Sequence, residues 1–97
     1  MELSAKELVD HLNNFGNKEE VAMFLCNQNV KGYREEPTEC PIATWLEREL
    51  DEGVTVEDVI TVYAIDGNTT YKISPTVSQF ITAFDLGYFP ELDWDEQ

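Results

Sequence analysis

Cys40 stands directly before Pro41 at what reads as the start of a helix, and it is the side chain most able to do covalent or redox chemistry in this chain. A cysteine at a helix N-terminus lies beside unpaired backbone N–H groups, which favour the thiolate that acts as a nucleophile or redox sensor. Glu39 opposes this, because an adjacent carboxylate raises a thiol pKa, and no basic residue lies close in sequence. The expectation for Cys40 is therefore a packing role beside Pro41, with a reactive thiol as the alternative. His11, the only histidine, falls one position off an apolar helical stripe. No Ser or Cys stands at a motif spacing from it, so it reads as a surface residue rather than a general base.

Carboxylate pairs recur at Glu19-Glu20, Glu35-Glu36, Asp51-Glu52 and Glu57-Asp58. Acid–base catalysis needs two carboxyls whose pKa values are driven apart inside a cleft. Where acids are this abundant, adjacency alone carries no such information. Asp66-Gly67-Asn68 is too sparse for a calcium loop. Two scattered cysteines and one histidine fall short of a structural zinc site. Neither a phosphate-cradling glycine loop nor a nucleophile elbow is present. The expectation is a protein that is not an enzyme, with no catalytic, cofactor-binding or metal residues and no cofactor.

Partner-binding candidates lie at the C-terminal end: Phe89, Glu91, Asp93, Trp94, Asp95 and Glu96. Large aromatics set among acids either fold back on the domain or anchor a partner. Nearness to the last helix favours folding back for Phe89, whereas Trp94 is open to either role.

Charge sets the wider frame. Among 97 residues, 20 Asp and Glu face 6 Lys and Arg, for a net charge of −14. Nucleic-acid affinity depends on Lys and Arg displacing counterions from phosphates, so direct DNA or RNA binding is not expected. An anionic membrane is disfavoured for the same reason. A basic protein surface would attract the chain and speed encounter. The plainer reading of the same acids is a solvated surface that maintains solubility. No basic, apolar leader is visible at Met1-Glu2-Leu3-Ser4, and no stretch approaches the roughly 18 apolar residues of a membrane span. Cys26 and Cys40 are then expected as free thiols in a cytoplasmic protein.

The elements that must position these residues are readable from caps and periodicity. Ser4-Ala5-Lys6-Glu7 has the capping-box pattern, and Leu8, Leu12 and Phe15 follow on one helical face, with Gly16 as the stop. Asn17 opens a second helix with Val21, Phe24 and Leu25 inward; residues 30–39 read as a loop. Pro41 suits the first turn of a third helix carrying Ile42, Leu46 and Leu50, with Gly53 ending it. Val59–Ile65 is rich in β-branched residues with apolar side chains on both faces, which predicts an interior or doubly covered strand. Asp66-Gly67 predicts the turn of a hairpin over about residues 59–73, and Val54–Val56 is either a separate short strand or part of a bend. Ser74-Pro75 opens a last helix with Val77, Phe80, Ile81 and Phe84 on one stripe, and Gly87 ends it. The expected fold class is α+β, in the order α-α-α-β-β-α. One acidic domain spans residues 1–92, followed by an acidic tail at 93–97.

Two blocks, Cys40-Pro41-Ile42-Ala43-Thr44-Trp45-Leu46 and Phe80 to Leu92 with its Phe-Asp-x-Gly-x-x-Pro-x-Leu ending, resemble segments of small uncharacterised proteins of actinobacteria and their phages. The resemblance covers about Val21 to Leu92. It implies an accessory protein of the host cytoplasm, phage-encoded in type, and supplies no catalytic residue. Combined with the charge, the leading expectation is an accessory or inhibitory protein that binds a host protein, one with a basic surface. The alternatives are a nucleic-acid mimic that blocks a DNA- or RNA-binding protein, and a thiol-dependent enzyme or redox sensor using Cys40.

Overall fold

Local capping chemistry starts each of the four α-helices of the computed structural model, which describes residues 4–94. Helix α1 (Ala5–Asn13) begins on the reciprocal Ser4–Glu7 box, and α2 (Lys18–Asn27) begins on Asn17, whose side-chain oxygen accepts from the Glu20 N–H. The Glu20 carboxylate reaches back to the Gly16 N–H at 2.7 Å, fixing the tight link between the two helices. Helices α3 (Pro41–Leu50) and α4 (Pro75–Asp85) both carry proline in the first turn, where its missing N–H costs nothing. Two stops differ from expectation. Asn14 caps α1 ahead of Gly16, and α3 ends on Asp51 in the left-handed region at φ 55°, so Gly53 is free to open a strand.

The fold is α+β, with a three-stranded antiparallel sheet in the order β1-β2-β3, formed by β1 (Gly53–Val56), β2 (Val59–Ala64) and β3 (Gly67–Lys72). Val54–Val56 is therefore a strand of its own, and the element order gains a third β. The hairpin turn falls at Ile65-Asp66, one residue earlier than predicted, because Ala64 pairs with Gly67. Gly67 takes φ 137°, which a side chain would resist.

Strand β2 is the middle strand, as expected of an interior strand, yet the sheet is covered on one face only. Val54, Val56, Ile60 and Val62 are buried, while Val59 and Tyr63 on the opposite face are exposed. The prediction of a doubly covered strand is corrected on this point. In place of a second layer, Val59 lies opposite Lys72, and Tyr63 lies between Gly53 and Asn68; the Thr55 hydroxyl donates to the Tyr63 hydroxyl at 3.2 Å.

One continuous core joins Leu8, Leu12, Val21, Leu25, Ile42, Leu46, Val77, Phe80 and Phe84 to the inner face of the sheet. Asn13 stitches the ends together: its amide donates to the Lys72 carbonyl at 2.9 Å and its oxygen accepts from the Ser74 N–H at 2.8 Å. The outer edge of β1 is also occupied, since the Val54 N–H meets the Glu47 carboxylate at 3.2 Å and the Val56 N–H meets the Pro37 carbonyl at 2.9 Å. Covering a strand edge in this way closes it to pairing with other chains.

Among the described residues no helix is long and apolar enough to cross a membrane.

A candidate acidic docking cleft

The loop before α3 is held at three points. The Gly32 N–H donates to the Leu92 carbonyl at 2.8 Å and the Gly32 carbonyl accepts from the Trp94 N–H at 3.0 Å, making a short parallel bridge to the C-terminal segment. Arg34 Nε lies 2.7 Å from the Asp93 carboxylate. The Glu35 N–H donates to the Asp85 carboxylate at 2.8 Å, with Glu35 itself in the left-handed region at φ 63°. These ties hold the acidic loop against the C-terminal end of α4.

The result is a cleft of about 360 Å³ bounded by three walls. Glu35, Glu36 and Pro37 come from the loop, Val56, Glu57 and Asp58 from the β1–β2 turn, and Ser78, Ile81, Thr82 and Asp85 from α4, with Cys40 also in the lining. Five carboxylates thus share one concavity, and among the described residues its lining includes no Lys or Arg. The C-terminal end of α4, which carries no basic residue in its last turn, adds the negative end of a helix dipole. Several bases elsewhere have partners of their own: Lys6 with Asp10, Lys18 with Glu19, Arg48 with Glu49 and the Gln28 carbonyl, Lys31 over the Trp94 ring. Among the described residues no three His, Cys, Asp or Glu side chains are grouped as metal ligands. The five acids ring a space instead of converging on a point.

Cys40 is the N-cap of α3, and its Sγ accepts from the Ala43 N–H at 3.4 Å. Only 6% exposed, its thiol is pushed up to about 11 by burial, which outweighs the backbone N–H groups of Ala43 and Ile42; the Asp85 carboxylate pushes the same way. The helix-terminus argument for a thiolate therefore loses to desolvation. A thiol reagent at neutral pH should titrate exposed Cys26 quickly in the native protein and reach Cys40 only after unfolding. The folded state also holds the Cys40 proton longer than the unfolded chain, whose thiol has the ordinary value of 9.0. Its contribution to stability is therefore complete below pH 9 and falls away as pH rises from about 9 to about 11, a limb that Cys40→Ala should flatten in urea melts.

The C-terminal candidates divide. Phe89 is buried and stacks on Phe80 at 5.3 Å between ring centroids, and Leu92 is fully buried. Asp93 is 2% exposed, so packing continues past residue 92 into the segment read as a tail. Asp93 is withdrawn from partners by its burial, and Phe89 reaches the surface only as part of the lining of a depression it shares with Glu91. Glu91 is exposed, and Trp94 is 56% exposed with Lys31 Nζ 5.4 Å from its ring centroid. Asp95 and Glu96 lie outside the described residues. His11 is exposed, with its ring edge-on to Phe15 and Phe24 at 5.2 and 4.9 Å. Trp45 is buried against Phe24 and is closed to self-association.

Glu57 and Asp58 are visible in the sequence as one acidic pair among several, and Glu35 and Glu36 as another. Nothing in their spacing shows that the two pairs meet across Asp85. Comparison of the chain with protein-family models, with curated proteins and with solved structures finds no match.

Proposed function

We propose that this protein is a non-catalytic binding module that takes a positively charged segment of another protein into the acidic cleft. The supporting observation is the gathering of Glu35, Glu36, Glu57, Asp58 and Asp85 around one concavity with no base among the lining residues. Exposed charges farther apart than about 8–10 Å are largely screened at physiological salt. Carboxylates within one cleft escape much of that loss, because its walls exclude solvent and focus the field. A guanidinium or ammonium entering there meets several carboxylates at once, while half-buried Pro37 and Ile81 offer an apolar surface to its aliphatic stem. Masking a basic surface on a partner is the physical content of an accessory or inhibitory role. The resemblance of the Cys40 and Phe80 blocks to small actinobacterial and phage proteins is compatible with that role, with a host protein as partner. A concave site suits a side chain better than it suits the filling of a nucleic-acid groove, so mimicry ranks second.

The test is charge reversal. Glu36→Lys, Glu57→Lys and Asp58→Lys together alter three exposed carboxylates of the cleft lining and leave the Glu35–Asp85 tie in place. Binding of fluorescein-labelled hexa-arginine at low salt should weaken by at least about thirtyfold. Reversal of Asp10, Asp66 and Glu91, an equal charge change outside the cleft, should cost less than about fivefold. Equal losses from the two sets would mean that net charge alone binds the probe.

A further inference from the structure

On the far side of α4 from the acidic cleft lies a second depression, of about 490 Å³, lined by Lys18, Gln79, Ala83, Leu86 and Tyr88. Ser78 and Thr82 line both depressions, so one outward face of α4 forms a low ridge of small hydroxyl side chains between them. Leu86 and Tyr88 are 68% and 70% exposed, which places two large apolar side chains next to the acidic cleft. The two depressions differ sharply in charge. Among the described residues, five carboxylates and no base line the first, whereas the only charged residue lining the second is Lys18.

Resting on the binding reading above, we infer that the partner segment is bipartite. It places an Arg or Lys in the acidic cleft and a bulky apolar side chain over Leu86 and Tyr88, straddling the Ser78–Thr82 ridge. The charge pattern also fixes its direction, because the carboxylates draw a cation to the first depression and none of them lines the second. A helix with side chains is about 10–12 Å across, and that sets the separation of the two anchors. It is met by residues three apart in an extended segment, at about 3.3 Å each, or seven apart in a helical one, at about 1.5 Å each. Aromatic or aliphatic anchors in a partly enclosed groove carry affinity, and rim charges carry orientation and on-rate.

Two peptides of equal charge separate this inference from the reading it rests on. One is hexa-arginine; the other carries six arginines followed, three residues on, by a Phe-Leu pair. Wild-type protein should bind the second about tenfold more tightly, the scale of burying one large apolar side chain. The Leu86→Ser, Tyr88→Ser double variant should lose that gain while keeping its affinity for hexa-arginine. Equal affinity of wild type for both peptides, or a gain that survives in the double variant, overturns the bipartite segment and leaves the acidic cleft standing. Failure of hexa-arginine itself to bind overturns both. A change in oligomeric state on making the double variant would assign the groove to a second copy of this chain and overturn the inference as well.

Discussion

Replacing Gly32 by alanine is expected to cost the domain about 3–5 kcal/mol and to lower its Tm by roughly 15 °C or more. The reason is contact, not backbone conformation. A Cβ at this position would stand 2.5 Å from the carbonyl carbon of Cys40 and 2.5 Å from the nitrogen of Pro41, and it would also strike the Glu39 carbonyl oxygen. All three are backbone atoms at the entry to α3, so no side-chain rotation relieves them. The chain on the other side of Gly32 is held too, by the bridge to Leu92 and Trp94. Something must give: the bridge, the cap of α3, or both. A small domain has a total stability of only about 5–15 kcal/mol, so the loss is a large fraction of it. Thermal melts followed by near-ultraviolet circular dichroism measure it. A Gly32→Ala protein within a few degrees of wild type would mean that the loop can swing away from α3, and that the cleft wall is not anchored there.

The second large effect is an asymmetry within one ion pair. Arg34→Ala should destabilise by about 2–4 kcal/mol, and Asp93→Asn by only about 1 kcal/mol. The two partners sit in different surroundings: the Asp93 side chain is 2% exposed, while that of Arg34 is 42% exposed. Removing the arginine takes the counter-charge away from a carboxylate that the fold keeps in the interior. Removing the carboxylate leaves a guanidinium that turns to water and an amide that fits the same space. Urea unfolding of the two variants gives the comparison directly, provided the slope against denaturant is unchanged. Equal losses would indicate a surface-like pair and shift the anchoring of the C-terminal segment to Phe89, Leu92 and the backbone bridge.

Both effects bear on function through the same loop, because residues 32–35 set the position of Glu35 and Glu36. Loosening that loop disperses the carboxylates, and binding of cations should weaken in step with stability in these variants. The helices are legible in the sequence because their signals are local. Ser4 with Glu7, Asn17 with Glu20, and Ser74-Pro75 each specify a cap within four residues. The hairpin of β2 and β3 is legible for a similar reason, with its turn misplaced by one position. Val54–Val56 stays undecided in the sequence, since a four-residue strand is defined by its partners: Val54 and Val56 are strand residues because Val62 and Ile60 lie opposite and because Glu47 and Pro37 satisfy the outer edge. Coverage of the sheet on one face is equally out of reach. The apolar residues Val59 and Tyr63 look like core in one dimension.

The cleft shows the same limit more sharply. Its carboxylates come from stretches separated by up to 50 positions, as in the Glu35–Asp85 contact, and acids are so plentiful that no subset stands out in the sequence. Cys40 illustrates a sound local argument defeated by a distant fact: the cap is real, but burial and Asp85 govern its thiol. Gly32 is a third case. A glycine in a loop ordinarily invites a turn reading, and only the folded chain reveals three backbone atoms waiting where a side chain would go.

The proposed binding role requires that negative charge be gathered at one cleft and not merely spread for solubility. Amide chemical-shift mapping of the ¹⁵N-labelled protein during titration with hexa-arginine tests this most directly. The perturbations should concentrate at Glu35, Glu36, Glu57, Asp58, Thr82 and Asp85, and should fade together as salt is raised. Shifts scattered evenly across remote acids such as Glu7, Glu49 and Asp66, with no maximum at the cleft, would contradict it.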